Sequence, residues 1–240
     1  MERTPPPTPS PRIAAIQVVR RGPSPPNRAR VELDDGTRLE IALEIVSHQA
    51  LRVGDPLDAE LRSVIEDADL RWRAREAALS LLSHRARARQ ELARRLRKKD
   101  FPGAVIRDCL DELEARGFLD DAEFARSFVR GRLRVRPRGR AGLHSELRRL
   151  GVDDAVAQTA VDGVFQEEST SDADLALDAA RGWLKRQGGA IQAALAGPPF
   201  DPDRDKARRR LHGYLARRGF PAGAARAAMA TLESEAAGNS

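Results

Sequence analysis

Leu92–Leu113 reads LARRLRKKDFPGAVIRDCLDEL. Leu92 and Leu96 set a helical spacing, Asp100-Phe101-Pro102 interrupts it, and Ile106, Leu110 and Leu113 resume it. A shift of 51 residues gives LHSELRRLGVDDAVAQTAVDGV (Leu143–Val164), and a further 68 gives LHGYLARRGFPAGAARAAMATL (Leu211–Leu232). The six apolar positions become Leu143, Leu147, Val152, Ala157, Val161, Val164 and then Leu211, Leu215, Phe220, Ala225, Met229, Leu232, with no gap. Asp100, Gly151 and Gly219 precede the third position, where the chain leaves one helix through a left-handed residue; glycine takes that conformation freely and Asp tolerates it. Pro102 and Pro221 follow at matching points, where a first-turn proline costs no hydrogen bond. The stretch is therefore a helix pair used three times.

A further helix precedes each pair, over about 74–84, 121–134 and 172–187. The expected repeats span 71–120, 121–166 and 172–234, the last carrying a Gly/Pro-bearing insertion over Gln187–Pro202. Ahead of them, residues 12–70 read as a small acidic α/β module. Arg12–Arg20, Arg28–Leu33 and Thr37–Leu43 form strands, with Asp34-Asp35-Gly36 as a hairpin turn, and short helices follow over Leu43–Ala50 and Leu57–Asp67. Residues 1–11 form a disordered Pro-rich leader, and 235–240 a disordered tail. The fold class is mainly α: three tandem three-helix repeats in an elongated, curved array, preceded by a β-hairpin-containing module.

The chain of 240 residues carries a net charge of +6 and a sequence pI near 10.3, with arginine dominating the basic side. Charge is laid down in blocks. Residues 31–70 hold eleven acids against Arg38, Arg52 and Arg62, whereas 71–100 hold eleven Lys/Arg against Glu76, Glu91 and Asp100. Residues 126–150 contain nine arginines and one acid, Glu146; 153–178 contain eight acids and neither Lys nor Arg. Each charge alone reads as part of a solvated face, where an ion pair contributes about 0–1 kcal/mol. Together they favour a binding surface for a polyanion or an acidic protein, because Arg126, Arg130 and Arg134 at i, i+4, i+8 repel one another without a partner. Aromatic residues are too few for a base-stacking platform.

No stretch approaches the roughly 18 apolar residues of a bilayer span, and the leader lacks a secretory apolar core. Cys109 has no disulfide partner and reads as a packing residue, which fits a reducing cytoplasm. Phosphate-loop, dinucleotide, HExxH and GxSxG motifs are absent, and no cofactor or metal is expected. His144 and His212 share one repeat position and read as helix-surface residues. In LEARGFLDDAEFA (Leu113–Ala125), Asp120, Asp121 and Glu123 raise the weak alternative of an acidic-cluster nuclease. The stronger reading is a joint. Gly117 ends a helix, Phe118 and Leu119 anchor the connection, Asp120 caps the next helix, and Glu123 completes a capping box.

ALSLLSHRARARQELARRLRKKDF (Ala78–Phe101), LDELEARGFLDDAEFARSFVRGRL (Leu110–Leu133) and RGRAGLHSELRRLGV (Arg138–Val152) resemble the RecX family, regulators of the RecA recombinase. The resemblance is strong from about Trp72 to Phe165 and looser beyond, and GTRLEIALEIVSHQALRVGDPLDAEL (Gly36–Leu61) resembles an N-terminal extension of some members. Where that family often has Ser or Thr ahead of the second helix, Ala88 and Arg89 stand here, so that helix start is capped differently. The resemblance implies a non-enzymatic protein that lies in the groove of the RecA–DNA filament and inhibits its extension or strand exchange, and a monomer is expected. The expected contacts are Arg85, Arg87, Arg89, Arg94, Arg95, Lys98 and Lys99 in the first repeat, and Arg126, Arg130, Arg132, Arg134, Arg138 and Arg140 in the second. They meet either RecA or the backbone of single- or double-stranded DNA. The alternative is a sequence-independent DNA-binding protein that acts by competing for DNA.

Overall fold

The computed structural model describes residues 10–20 and 27–238, so the leader up to residue 9 lies outside the described residues. Among the described residues there are three strands and eleven helices. The sheet is an antiparallel meander of β1 (Ile13–Val19), β2 (Arg28–Leu33) and β3 (Arg38–Ala42), paired in that order. Gly36, at φ +87°, closes the β2–β3 turn, a conformation in which a side chain is strained. Helices α1 (Leu43–His48) and α2 (Ala59–His84) follow. Their apolar faces and one face of the sheet bury Ile13, Val31, Ile41, Ile45, Leu57 and Ile65. Asp69 on α2 is buried and fully engaged: it accepts from Arg28 at 2.6 Å and from the Ala42 backbone at 2.8 Å, and it pairs with Arg73 at 3.0 Å.

Two readings differ here. The helices expected over Leu57–Asp67 and 74–84 are one continuous helix, α2, which passes through residues 70–71 without a break. No Gly or Pro lies between Leu57 and His84, and a reversal of charge does not interrupt backbone hydrogen bonding.

The remaining helices are α3 (Arg89–Arg97), α4 (Gly103–Ala115), α5 (Asp121–Val135), α6 (Arg140–Leu150), α7 (Asp154–Glu167), α8 (Asp172–Lys185), α9 (Gly189–Ala196), α10 (Pro202–Arg217) and α11 (Ala222–Gly238). Helix α9 lies inside the segment read as an insertion, so four helices occupy 172–238, and α11 continues past residue 234 into the expected tail. The chain forms two compact units. One runs up to Arg85 and takes in Arg95–Glu112; the other takes in Ala86–Arg94 and everything from Leu113 on.

The internal repeat is a repeat of burial. Every one of its apolar positions is buried except Phe101, which is half-buried. Asp100, Gly151 and Gly219 all have positive φ, at 63°, 97° and 76°. The next residue in each case donates its N–H to a carbonyl five residues back: Phe101 to Leu96, Val152 to Leu147, Phe220 to Leu215. In the second unit the core is continuous from Ala125 to Leu232, with Phe165, Leu143, Leu147, Leu211 and Leu215 at its centre. Phe118 departs from its expected anchoring role: it is 56% exposed, and Leu119 alone is buried in that connection.

Candidate basic interface and the repeat joints

Helix α5 starts as its sequence dictates, with Asp120 accepting the Glu123 N–H at 2.9 Å. The reciprocal half of the expected capping box is not made among the described residues, and the Glu123 carboxylate accepts from Ser127. Asp121 does something else. Its carboxylate accepts the backbone N–H of Arg89 at 2.8 Å, capping the start of α3, which has no Ser or Thr of its own. Fifty-one residues on, Asp172 accepts the backbone N–H of Arg140 at 2.9 Å and caps α6 in the same way. Burial pushes the Asp121 carboxyl above its ordinary value; Glu114 and Asp120 add to this, against the bond from Arg89.

A second contact type repeats alongside. Gly151, the left-handed cap of α6, sits so close to Gln90 that an added Cβ would lie 2.5 Å from the Gln90 Cβ. Gly219, the equivalent residue after α10, sits on the first turn of α6, where an added Cβ would lie 2.1 Å from the Gly142 nitrogen. Gly139 N–H donates to the Arg218 carbonyl at 3.1 Å across the same seam.

Against this frame the predicted cations divide. Arg126 and Arg130 both reach Glu167 on α7, at 2.5 and 2.9 Å. Their expected mutual repulsion is thus relieved by a carboxylate from a neighbouring helix, which holds the Glu167 carboxyl below the usual range. Arg132 and Arg138 share Glu146, at 3.0 and 2.8 Å. Arg140 pairs with Asp162 at 2.6 Å and lies over the Phe165 ring at 4.3 Å. Arg89 pairs with Glu114 at 2.7 Å, and Arg87, buried, with Glu91 at 2.6 Å. The Arg94 guanidinium donates to the Leu150 carbonyl at 2.9 Å, where a cation favours the C-terminus of α6. Arg85 and Arg95 are exposed. Lys98, Lys99 and Arg134 are exposed and have no ion-pair partner among the described residues.

One basic cluster was not picked out from the sequence. Arg136, just past α5, Arg186, just past α8, and Arg218, just past α10, line one cavity with Tyr214. Each is the residue that ends a helix, and that local position was the only available signal.

Cys109 is buried, its thiol pushed up by burial and by Glu112. His144 lies 3.3 Å from Asp154, and among the described residues no group of three or more His, Cys, Asp or Glu is placed to hold a metal ion. No helix among the described residues is long and apolar enough to cross a membrane.

Comparison with known proteins places these features in a family. The first three-helix domain of RecX matches residues 74–113, and the second matches 120–161. A regulatory protein RecX of Thermobifida fusca is 37% identical over 176 residues, covering 72% of this chain and 86% of the relative. One of Amycolatopsis mediterranei is 37% identical over 153 residues, covering 64% and 79%. A crystal structure of regulatory protein RecX superposes with a TM-score of 0.64 at 20% identity, covering 94% of this chain and 99% of that one. RecX from Lactobacillus salivarius gives 0.53 at 19% identity, over 70% and 99%. At those identities the structures speak to the fold.

Proposed function

The chain belongs to the RecX family, and on that premise we propose that it regulates RecA without catalysis of its own. In this reading it is a cytoplasmic monomer that lies along the groove of the RecA–DNA filament and inhibits filament extension, ATP turnover and strand exchange. The observation that carries the reading is the repeated joint, Arg89 on Asp121 and Arg140 on Asp172. It holds the starts of successive middle helices in one relation, and a polymer of identical subunits also presents its sites at a fixed step. Contacts to adjacent subunits then add through effective concentration and oppose subunit rearrangement.

Among the expected contacts, Lys98, Lys99 and Arg134 are exposed and without an ion-pair partner among the described residues, so they meet the filament first. Arg85, Arg94 and Arg95 are also exposed. Arg87, Arg89, Arg126, Arg130, Arg132, Arg138 and Arg140 each share a carboxylate, and engaging a partner through them costs that pairing.

The test is RecA ATPase and strand exchange on preformed filaments, with substoichiometric protein over a salt series. Inhibition well below saturation of the DNA is expected. Inhibition that requires saturating free DNA, with the steep salt dependence of naked-DNA binding, would replace this reading with competition for DNA.

A further inference from the structure

The cavity behind α5, between α8 and α10, has a volume of about 460 Å³ and is lined by Arg136, Arg186, Arg218, Tyr214 and Asp178 among others. Three guanidinium groups converge on it and only one carboxylate lines it. Asp178 is shared with Arg181, 4.0 Å away, which faces it from its own helix. Arg138, the other cation near Arg218, is engaged by Glu146.

Two of the three guanidinium groups are held in place. Arg218 donates to the Pro137 carbonyl at 3.0 Å and lies over the Tyr214 ring at 4.6 Å. Arg186 donates to the Tyr214 hydroxyl at 3.1 Å. Arg136 is exposed, with no hydrogen-bond partner for its side chain among the described residues. Burial, followed by the nearby Arg138, Arg186 and Arg136, depresses the Arg218 pKa, with the Tyr214 hydroxyl acting against them. A guanidinium offers five N–H donors in a planar fork, so one bond each leaves Arg186 and Arg218 with most of their donors unused. Such a gathering costs repulsion unless an anion neutralises it.

Lys185 and Arg217, beside Arg186 and Arg218 in the chain, and Arg134, two residues before Arg136, are also exposed without a carboxylate partner among the described residues. Cations that flank the lining residues in the chain fit a polymer with one charge at each step. The cavity suits one phosphate with its sugar.

We infer that Arg136, with Arg186 and Arg218 braced by Tyr214, forms a phosphodiester site that takes the backbone of a DNA strand. The site stands apart from the filament reading, because it is measured on DNA with RecA absent. The full-length protein is titrated against a labelled oligothymidylate at low salt, followed by fluorescence anisotropy. Arg136→Glu is expected to weaken binding by about tenfold or more and to flatten the salt dependence by roughly one phosphate contact. Arg52→Glu, an equal change of net charge on an exposed residue of the first unit, is expected to weaken it by less than about twofold. Arg186→Ala is expected to follow Arg136→Glu, with the urea midpoint confirming that it folds. Equal effects of Arg136→Glu and Arg52→Glu would overturn the site. So would unchanged oligonucleotide binding with lost binding of labelled polyglutamate, which would assign the cavity to a protein carboxylate.

Discussion

Replacing Asp121 should loosen a helix that Asp121 does not belong to. Its carboxylate accepts the Arg89 N–H at 2.8 Å, at the start of α3, where the first turn has donors without intrahelical partners. Asp121→Ala removes that acceptor, and loss of an N-cap acceptor costs about 0.5–2 kcal/mol. Asp121→Asn keeps an oxygen at the same place and removes the charge. Burial disfavours that charge, so the Asn variant should lose less than about 0.5 kcal/mol at neutral pH. The pH dependence has a definite sign. The folded carboxyl titrates above its unfolded value, so within that window the folded state binds more protons than the unfolded state. The Asp121 contribution is therefore most favourable below the unfolded value and diminishes as pH rises through the folded one. Wild type should gain on Asp121→Asn on acidification, never on raising the pH. Urea unfolding at pH 7 reads the cost: with m near 2–3 kcal/mol per M, a loss of about 1 kcal/mol moves the midpoint by roughly 0.3–0.5 M. Hydrogen exchange at the Arg89 amide reads it locally. An Asp121→Ala protein with an unchanged Arg89 exchange rate would refute the capping role, and Asp172→Ala should repeat the effect at Arg140.

Three further predictions follow from the same geometry. Gly219→Ala must place a Cβ against the Gly142 backbone, whereas Gly117→Ala, also at positive φ, meets open space. Gly117→Ala should cost only the left-handed strain of about 1–2 kcal/mol, Gly219→Ala distinctly more, and equal urea midpoints would show the seam is not tight. Glu167→Gln releases Arg126 and Arg130, so retention on a heparin column should shift to higher salt. Because the Glu167 carboxyl is held down by Arg130 and Arg126, the pair contributes above the unfolded carboxyl value and is lost as pH falls through the lowered one; wild type and variant should converge there. Asp69→Ala strands the part-buried Arg28 and should cost about 3–5 kcal/mol in urea unfolding, far more than removing the exposed Glu66 beside Arg62.

Which of these features the sequence discloses depends on how local their causes are. The apolar positions of the repeats were legible because burial on a helix is enforced every three or four residues, and the shifts of 51 and 68 carry that pattern intact. Positive φ at Asp100, Gly151 and Gly219 was legible for the same reason: the helix end is a local event. The unbroken α2 was read as two helices, although neither Gly nor Pro lies between Leu57 and His84 to interrupt it. Helix α9 was hidden because its flanking Gly and Pro residues drew attention from an interior, AIQAALA, that favours helix.

The basic surface needed more than local reasoning. Repulsion among Arg126, Arg130 and Arg134 is read along one helix, while the carboxylate that relieves it for Arg126 and Arg130, Glu167, stands 41 and 37 residues away. An arginine count therefore overstates a binding face wherever an acidic helix packs beside a basic one, as α7 does beside α5. Of the predicted cations, Lys98, Lys99 and Arg134 have no ion-pair partner among the described residues, and each lies at or near a helix end. Asp121 is the instructive case. In the sequence it belongs only to the acidic cluster of Asp120, Asp121 and Glu123, yet Asp121 and Asp172 are separated by the same 51 residues as the core positions, and each lies 32 residues after the arginine it caps. A polar residue that keeps the period of the core is tied to the packing between repeats, and that rule extends the joint read at Asp120 to Asp121 and, 51 residues on, to Asp172.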